Sequence, residues 1–391
     1  MNNFEFYAPT KIYFGKNEEE KIADIILSAG YKKILIHYGG QSAIKSGLLN
    51  KVCNLLTAKN IEYVRLGGVI ANPVLSKVNE GIALCKKEKV DFILAVGGGS
   101  VIDSAKAIAV GAKEEQDVWE HFAKKTPIHD ALAVGCILTI AAAGSEMSNS
   151  SVITNEDGGY KRSIKSDLIR CQFSILNPEL TYTLPAYQTA SGCVDIMLHT
   201  LERYFSDVSQ LELKDEFAEG LLRNVVKYAL LLKHDPSNYQ ARAEIMWAST
   251  MSHNDTTGTG GDGDWACHQL EHELSGKYGV AHGAGLAAVW GSWARYVYKT
   301  NIQRFVRYAN KVWNIEKEND EATALAGIVA TEEFFKQIDM PITITELLGY
   351  QLTNEEIDEL AFKCSYEKTR MIGKFKKLDI EDIRLIYLNA K

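Results

Sequence analysis

A chain of 391 residues is too long for one ordinary hydrophobic core and suggests two domains of roughly 150–200 residues each. Its content, 46% apolar and 24% charged, is that of an ordinary globular protein. The net charge of −7, with no basic stripe interleaved with aromatics, argues against a nucleic-acid partner.

No apolar run reaches the 18 residues a membrane span needs, and "MNNFEFYAPTKIYFG" lacks the basic-then-apolar order of a secretory signal. The seven cysteines are scattered, odd in number and never C-x-x-C, which predicts a reducing, cytoplasmic setting without disulfides. Cys267, beside His268, reads as a small buried hydrophobe.

The first half alternates strand and helix signals. "KKILIHY" (32–38) is a β-rich run that ends at Gly39 and Gly40. Helical patterns follow in "SGLLNKVCNLLTAKN" and "VLSKVNEGIALCKKEKV". "VDFILAV" (90–96) runs into Gly97, Gly98 and Gly99, and "LAVGCILTI" (132–140) runs into "AAAGSE". Strands alternating with helices predict parallel βαβ units, and continuously apolar strands predict a sheet covered on both faces. Near "NPELTYTLPAYQTASG" (177–192) the β-rich runs stop and long helical patterns take over. The reading is an α/β domain over 1–184 and an all-helical domain over 185–391.

Two glycine loops carry nucleotide-binding signals. In "AVGGGSVIDSAKAIAV" (95–110) a buried strand meets three glycines and then a helix, so backbone amides and a helix N-terminus are available to a phosphate. The same residues also read as a tight turn, with Ser100 as N-cap and Asp103 at N3 in a capping-box variant. Ile102 stands where the dinucleotide fingerprint wants its third glycine, and no Walker-type G-K-[ST] follows. In "HYGGQSAIKSG" (37–47) the strand ends in Tyr38 rather than an acid. Gly39, Gly40, Ser42 and Lys45 then suit a ribose 2′-phosphate, so NADP is expected over NAD.

The second half carries a metal-ligand pattern. Asp195 and His199 are four apart in an apolar helix, and a buried acid and histidine need partners. "HQLEHELSGKYGVAHG" (268–283) adds His268, His272 and His282 within 15 residues. Alone, H-x-x-E-H over 268–272 is the signature of a zinc peptidase with Glu271 as base. Together with Asp195 and His199 it reads instead as a site for Zn²⁺ or Fe²⁺. Five candidates exceed what a catalytic metal with an open position requires, so one is expected to serve chemistry.

"GGGSVIDSAK" (97–106), "DIMLH" (195–199) and "HQLEHELSGKYGVAHG" (268–283), in this order and spacing, resemble the metal-dependent group III, or iron-containing, alcohol dehydrogenases. "YGGQSAIKSG" resembles the NADPH-dependent butanol dehydrogenase and aldehyde reductase branch. The resemblance covers nearly the whole chain. It implies a dehydroquinate-synthase-like fold, a nucleotide-binding α/β domain followed by a helical metal-binding domain, and a homodimer.

Carried over by motif position, the metal ligands are Asp195, His199, His268 and His282. His272 lines the site as proton relay or as an orienting residue. The cofactor positions are Gly39, Gly40, Ser42, Asn72, Gly98, Gly99, Ser100, Asp103, Thr139, Asn149 and Lys161.

Two departures stand out. Ala141 to Ala143 replace a turn richer in Gly and Thr, and "SHNDTTGTGGDGDWACHQ" (252–269) is richer in Gly and Asp, which is expected to loosen a pocket loop. The implied activity is reduction of a small aldehyde to a primary alcohol, or the reverse. The alternatives are the zinc peptidase and a non-catalytic metal- or nucleotide-binding protein.

Overall fold

The apolar runs that end in glycine become neighbouring parallel strands. The computed structural model describes residues 1–208 and 211–391. In it β1 (Lys11–Phe14), β2 (Lys33–Tyr38), β3 (Glu62–Leu66), β4 (Phe92–Gly97), β5 (Ala133–Leu138) and β8 (Phe173–Leu176) form one all-parallel sheet. The strand order is β1-β8-β5-β4-β2-β3, and β6 (Ser150–Asn155) and β7 (Tyr160–Lys165) form a separate antiparallel pair.

Every residue of β4 is buried, as a central strand covered on both faces requires. Ile34, Ile36, Phe92, Leu94 and Val96 share a core with Ile22, Ile26, Val52 and Leu56. Burial of such side chains contributes about 1.5–3 kcal/mol each.

The helices of this unit are α1 (Ile22–Ala29), α2 (Ser42–Lys45), α3 (Leu48–Ala58), α4 (Leu75–Glu88), α5 (Gly99–Lys113) and α6 (Val118–Lys124). Between β2 and β4 the strand order reverses direction, because β3 lies on one side of β2 and β4 on the other. In open α/β sheets such a switch point, at the carboxyl ends of the strands, is where ligands bind. Both glycine loops leave from it.

The unit spans Ala8–Thr183. The other unit comprises Leu184–Lys391 with Met1–Tyr7. The division expected at residue 184 assigns those seven residues to the α/β region, but they group with the helices. Asn2 N–H donates to the Gly260 carbonyl at 2.9 Å. The segment 11–14 within "FEFYAPTKIYFG" pairs inside its own chain as β1, with Lys11 opposite Phe173.

The helical unit holds α7 (Ala186–Tyr204), α8 (Glu212–His234), α9 (Tyr239–Ser252), α10 (Ala266–Tyr278), α11 (His282–Val297), α12 (Ile302–Trp313), α13 (Asp320–Gln337), α14 (Ile344–Leu348), α15 (Asn354–Cys364) and α16 (Ile380–Asn389). From Thr189 to Tyr204, α7 is buried on every side. Its last carbonyls lack helical donors and are taken by cations. Arg304 donates to the Tyr204 carbonyl at 2.6 and 3.0 Å, and Lys214 Nζ to the Arg203 carbonyl at 2.8 Å. Arg304 also pairs through both its terminal nitrogens with buried Asp215 and lies 3.6 Å from the Tyr204 ring centre. Among the described residues no helix is long and apolar enough to cross a membrane.

Candidate active site

In the α/β unit the β4 glycines are demanded first by packing. A Cβ on Gly98 would lie 2.9 Å from Ile140 Cβ, and one on Gly99 would lie 3.2 Å from Ala143 Cβ. The expected capping box does not form. Gly98 caps α5 with no side-chain bond, and Asp103 faces elsewhere. Its two carboxylate oxygens accept from the Ser145 hydroxyl (2.5 Å) and the Val152 N–H (3.0 Å), which ties the start of α5 to β6. The competing partners win because a buried carboxylate one turn into a helix finds two firm donors there. Burial pushes its pKa up against the pull of Lys106.

Lys106, itself fully buried, donates to the carbonyls of Ser145 (2.7 Å), Ser148 (2.9 Å) and Ser150 (2.9 Å). This lysine, missed in the sequence, braces the loop that carries Asn149. Gly99 and Ser100 fall in the first turn of α5, whose N–H groups have no carbonyl ahead of them within the helix.

Gly39 and Gly40 follow β2, and a Cβ on Gly40 would meet nothing within 4 Å. Ser42 opens α2 and Lys45 closes it. Thr139 N–H donates to the Gly97 carbonyl at 3.0 Å, so the end of β5 lies against the glycine loop. Asn72 adopts φ +55°. Lys161, buried on β7, stands opposite Thr154, whose N–H reaches the Pro73 carbonyl at 2.8 Å. Asn149 donates its amide to Asp167 Oδ1 at 3.4 Å.

In the helical unit one atom organises the second cluster. Asp195 Oδ1 lies 3.2 Å from His199 Nε2, 3.7 Å from His282 Nε2 and 3.8 Å from His268 Nε2. Donor atoms of Asp195, His268 and His282 all fall within 4.8 Å of one another, and His199 adjoins them through Asp195.

Asp195 Oδ1 and His268 Nε2 are buried and make no hydrogen bond. Buried polar atoms without partners are costly, and a cation among these four side chains would satisfy them together. A carboxylate with imidazole nitrogens is the donor set of Zn²⁺ and Fe²⁺. The residues fit a divalent metal.

The electrostatics agree. Burial alone would raise the Asp195 carboxyl, but His282 and His199 outweigh it and hold it well below the usual carboxylate range. Burial, aided by His268, lowers His199 to about 3. His268 goes the other way: burial lowers it, yet Glu202 and Asp195 raise it to about 9. Glu202 and Asp195 thus favour positive charge on His268, while His199 is kept neutral.

Glycines bring the helices this close. A Cβ on Gly283 would lie 1.9 Å from the Ser191 carbonyl oxygen, so only glycine lets the start of α11, with His282, rest on α7. A Cβ on Gly285 would sit 2.9 Å from Glu271 Cγ. Behind the cluster, His268 Nδ1 donates to Glu202 and His282 Nδ1 donates to Glu271.

The chain matches the model of the iron-containing alcohol dehydrogenases over residues 9–178, and the C-terminal model of the Fe-containing alcohol dehydrogenase family over 189–391. The chain belongs to the iron-containing alcohol dehydrogenase family. It is 40% identical over 385 residues to the probable NADH-dependent butanol dehydrogenase 1 of Bacillus subtilis, covering 98% of each chain. To the NADPH-dependent aldehyde reductase YqhD of Escherichia coli it is 35% identical over the full length of both. The crystal structure of NADH-dependent butanol dehydrogenase A from Thermotoga maritima superposes with a TM-score of 0.96 at 41% identity, covering 100% of this chain and 99% of that one.

For an iron-containing alcohol dehydrogenase the peptidase reading of 268–272 does not hold. Glu271, its general base, is fully buried and committed to His282 and Ser275. The His272 ring centre lies 6.5 Å from that of His268 and 6.0 Å from that of His282, and His272 is outside the donor cluster.

Sequence reasoning missed Glu202 altogether. Its signal was present: it lies three residues after His199 and seven after Asp195, on the same helical face. His253 was missed too, and its ring centre lies 4.0 Å from that of His199. The 252–269 segment, expected to loosen a pocket loop, is braced ahead of α10. Asn254, Thr257 and Asp264 are buried, and Asp264 Oδ1 accepts from the Lys374 and Phe375 N–H groups at 2.7 and 2.8 Å.

Proposed function

We propose that this member of the family interconverts small aldehydes and primary alcohols with NADP(H), with Asp195, His199, His268 and His282 holding a divalent metal. The observation that carries the reading is the convergence of three imidazole Nε2 atoms on one buried carboxylate oxygen that has no hydrogen bond. When bound, the metal supplies Lewis-acid polarisation of a carbonyl oxygen, and the nicotinamide supplies hydride.

The chain's own residues do the rest. Asp195 brings the one anionic donor, which neutral imidazoles lack. His272, partly exposed and one turn from His268, is the group we assign to pass a proton between a substrate oxygen and water. Gly98, Gly99 and Ser100 offer backbone amides to a pyrophosphate at the start of α5. Gly39, Gly40, Ser42 and Lys45 offer open backbone, a hydroxyl and a cation where an acid would repel a 2′-phosphate. Asp103, also read as a cofactor position, and Lys106 hold the loop at 144–150.

A preference for NADH is the second reading. It is supported by the names of the Bacillus subtilis and Thermotoga maritima relatives, as NADPH is by that of YqhD. The test is oxidation of NADPH and of NADH, followed at 340 nm with butanal. It uses chelator-stripped enzyme reloaded with Zn²⁺ or Fe²⁺, with His272→Ala in parallel. Metal-dependent turnover preferring NADPH, slowed but still metal-loaded in His272→Ala, is expected. A preference for NADH would transfer the cofactor assignment. No turnover with metal bound would sink the proposed substrate class.

A further inference from the structure

We propose that Glu202 and Glu271 are positioning residues that fix the protons of His268 and His282 on Nδ1, so that each ring turns a bare Nε2 toward the metal. We propose further that the two are not equivalent: glutamine replaces Glu271 but not Glu202. The inference rests on the reading of Asp195, His199, His268 and His282 as metal donors.

A neutral imidazole carries one N–H, and the nitrogen that keeps it is chosen by whatever accepts it. His268 Nδ1 has Glu202 Oε2 as acceptor, and His282 Nδ1 has Glu271 Oε2. The opposite nitrogens point at Asp195. Glu202 is 1% exposed and Glu271 fully buried, so no solvent competes for either bond. His199 is held differently. Its Nδ1 is buried without a hydrogen-bond partner, so nothing on that side selects a tautomer. With a cation in place of any proton on Nε2, two of the three imidazoles have their remaining N–H held on Nδ1 by a carboxylate, and one does not.

The asymmetry between the carboxylates follows from their neighbours. Glu202 Oε1 accepts the His268 backbone N–H at 3.2 Å, while Oε2 accepts the ring N–H. Both neighbours are donors with no lone pair to offer. A glutamine there has one acceptor, and its NH₂ would face an N–H, leaving a buried donor unsatisfied. Glu271 instead meets the Ser275 hydroxyl through Oε1 and the ring through Oε2. A hydroxyl both donates and accepts. Ser275 Oγ also stands 3.3 Å from the Val280 carbonyl. Glutamine at 271 would then give its carbonyl to His282 and its NH₂ to Ser275, while Ser275 donates to Val280. Ring orientation survives the loss of charge.

The test measures Co²⁺ affinity by chelator competition, the visible absorption of the Co²⁺ enzyme, and the unfolding midpoint of each metal-free protein. The proteins are wild type, Glu202→Gln, Glu202→Ala, Glu271→Gln, Glu271→Ala and His268→Ala. Expected are unchanged affinity and spectrum for Glu271→Gln, and affinity lower by about 10–100-fold with an altered spectrum for Glu271→Ala and both Glu202 variants. Where an alanine variant does not fold, the isosteric glutamine variants carry the comparison.

Co²⁺ binding like wild type in Glu202→Gln overturns the role of Glu202. Equal losses in Glu271→Gln and Glu271→Ala overturn the acceptor argument. Wild-type binding in His268→Ala would overturn the underlying metal assignment instead.

Discussion

At the scale of single residues, burial decides what each titratable group does. His37, on β2, is fully enclosed. Its Nδ1–H donates to the Leu66 carbonyl at 3.0 Å, and its Nε2 accepts from the Ser104 hydroxyl at 2.9 Å. Burial is the main cause that lowers its pKa from 6.5 to about 4. Above pH 6.5 the ring is neutral in both the folded and the unfolded chain. As pH falls from 6.5 to 4 the unfolded chain takes up a proton that the folded one refuses, so stability is lost in that window and the loss levels off below it. The total is about 3 kcal/mol. Replacing His37 by Gln should flatten the fall of the urea midpoint between pH 6.5 and 4; an unchanged slope would refute the assignment. From the sequence, His37 is one of nine histidines and stands outside the metal-like spacing of His199, His268, His272 and His282. Its role depends on Ser104, 67 residues away.

At the scale of elements, the site is a meeting of α7, α10 and the start of α11. The i,i+4 spacing within one helix was readable, and it correctly placed Asp195 with His199 on one face. What brings α11 onto α7 was not. The 1.9 Å separation between a Gly283 Cβ and a backbone oxygen leaves no flexible side chain to yield. Gly283→Ala is therefore expected to cost at least about 3 kcal/mol and to lower the melting temperature by roughly 6–12 °C. It should also weaken metal binding by displacing His282. Calorimetry with chelator competition checks both, and a variant with wild-type stability would show that α11 does not rest on α7 as described. The capping-box reading of Ser100 and Asp103 failed at the same scale. Spacing identifies a possible cap, but Ser145 and Val152, brought in by the fold, are the stronger partners.

At the scale of the whole molecule, the two units are expected to answer metal removal differently. A ligand that binds only the folded state stabilises it by about 2.7 kcal/mol at one hundred times its Kd. Chelation should therefore speed amide exchange in α7, α10 and α11 while β2 and β4 keep their protection. Equal loss in both units, or in neither, would contradict a metal held by the helical unit alone. The sequence by itself determined the order of elements, the switch from strand to helix periodicity near 184 and the residue types gathered for chemistry. These follow from local apolar patterning and from spacing within a helix. Only the tertiary structure decided that Met1–Tyr7 join the helices, that Glu271 meets His282 and Ser275, that Glu202 meets His268, and that Lys106 braces the loop at 144–150. Each of those depends on which distant group lies opposite a buried polar atom, and nearest-neighbour patterning along the chain carries no record of it.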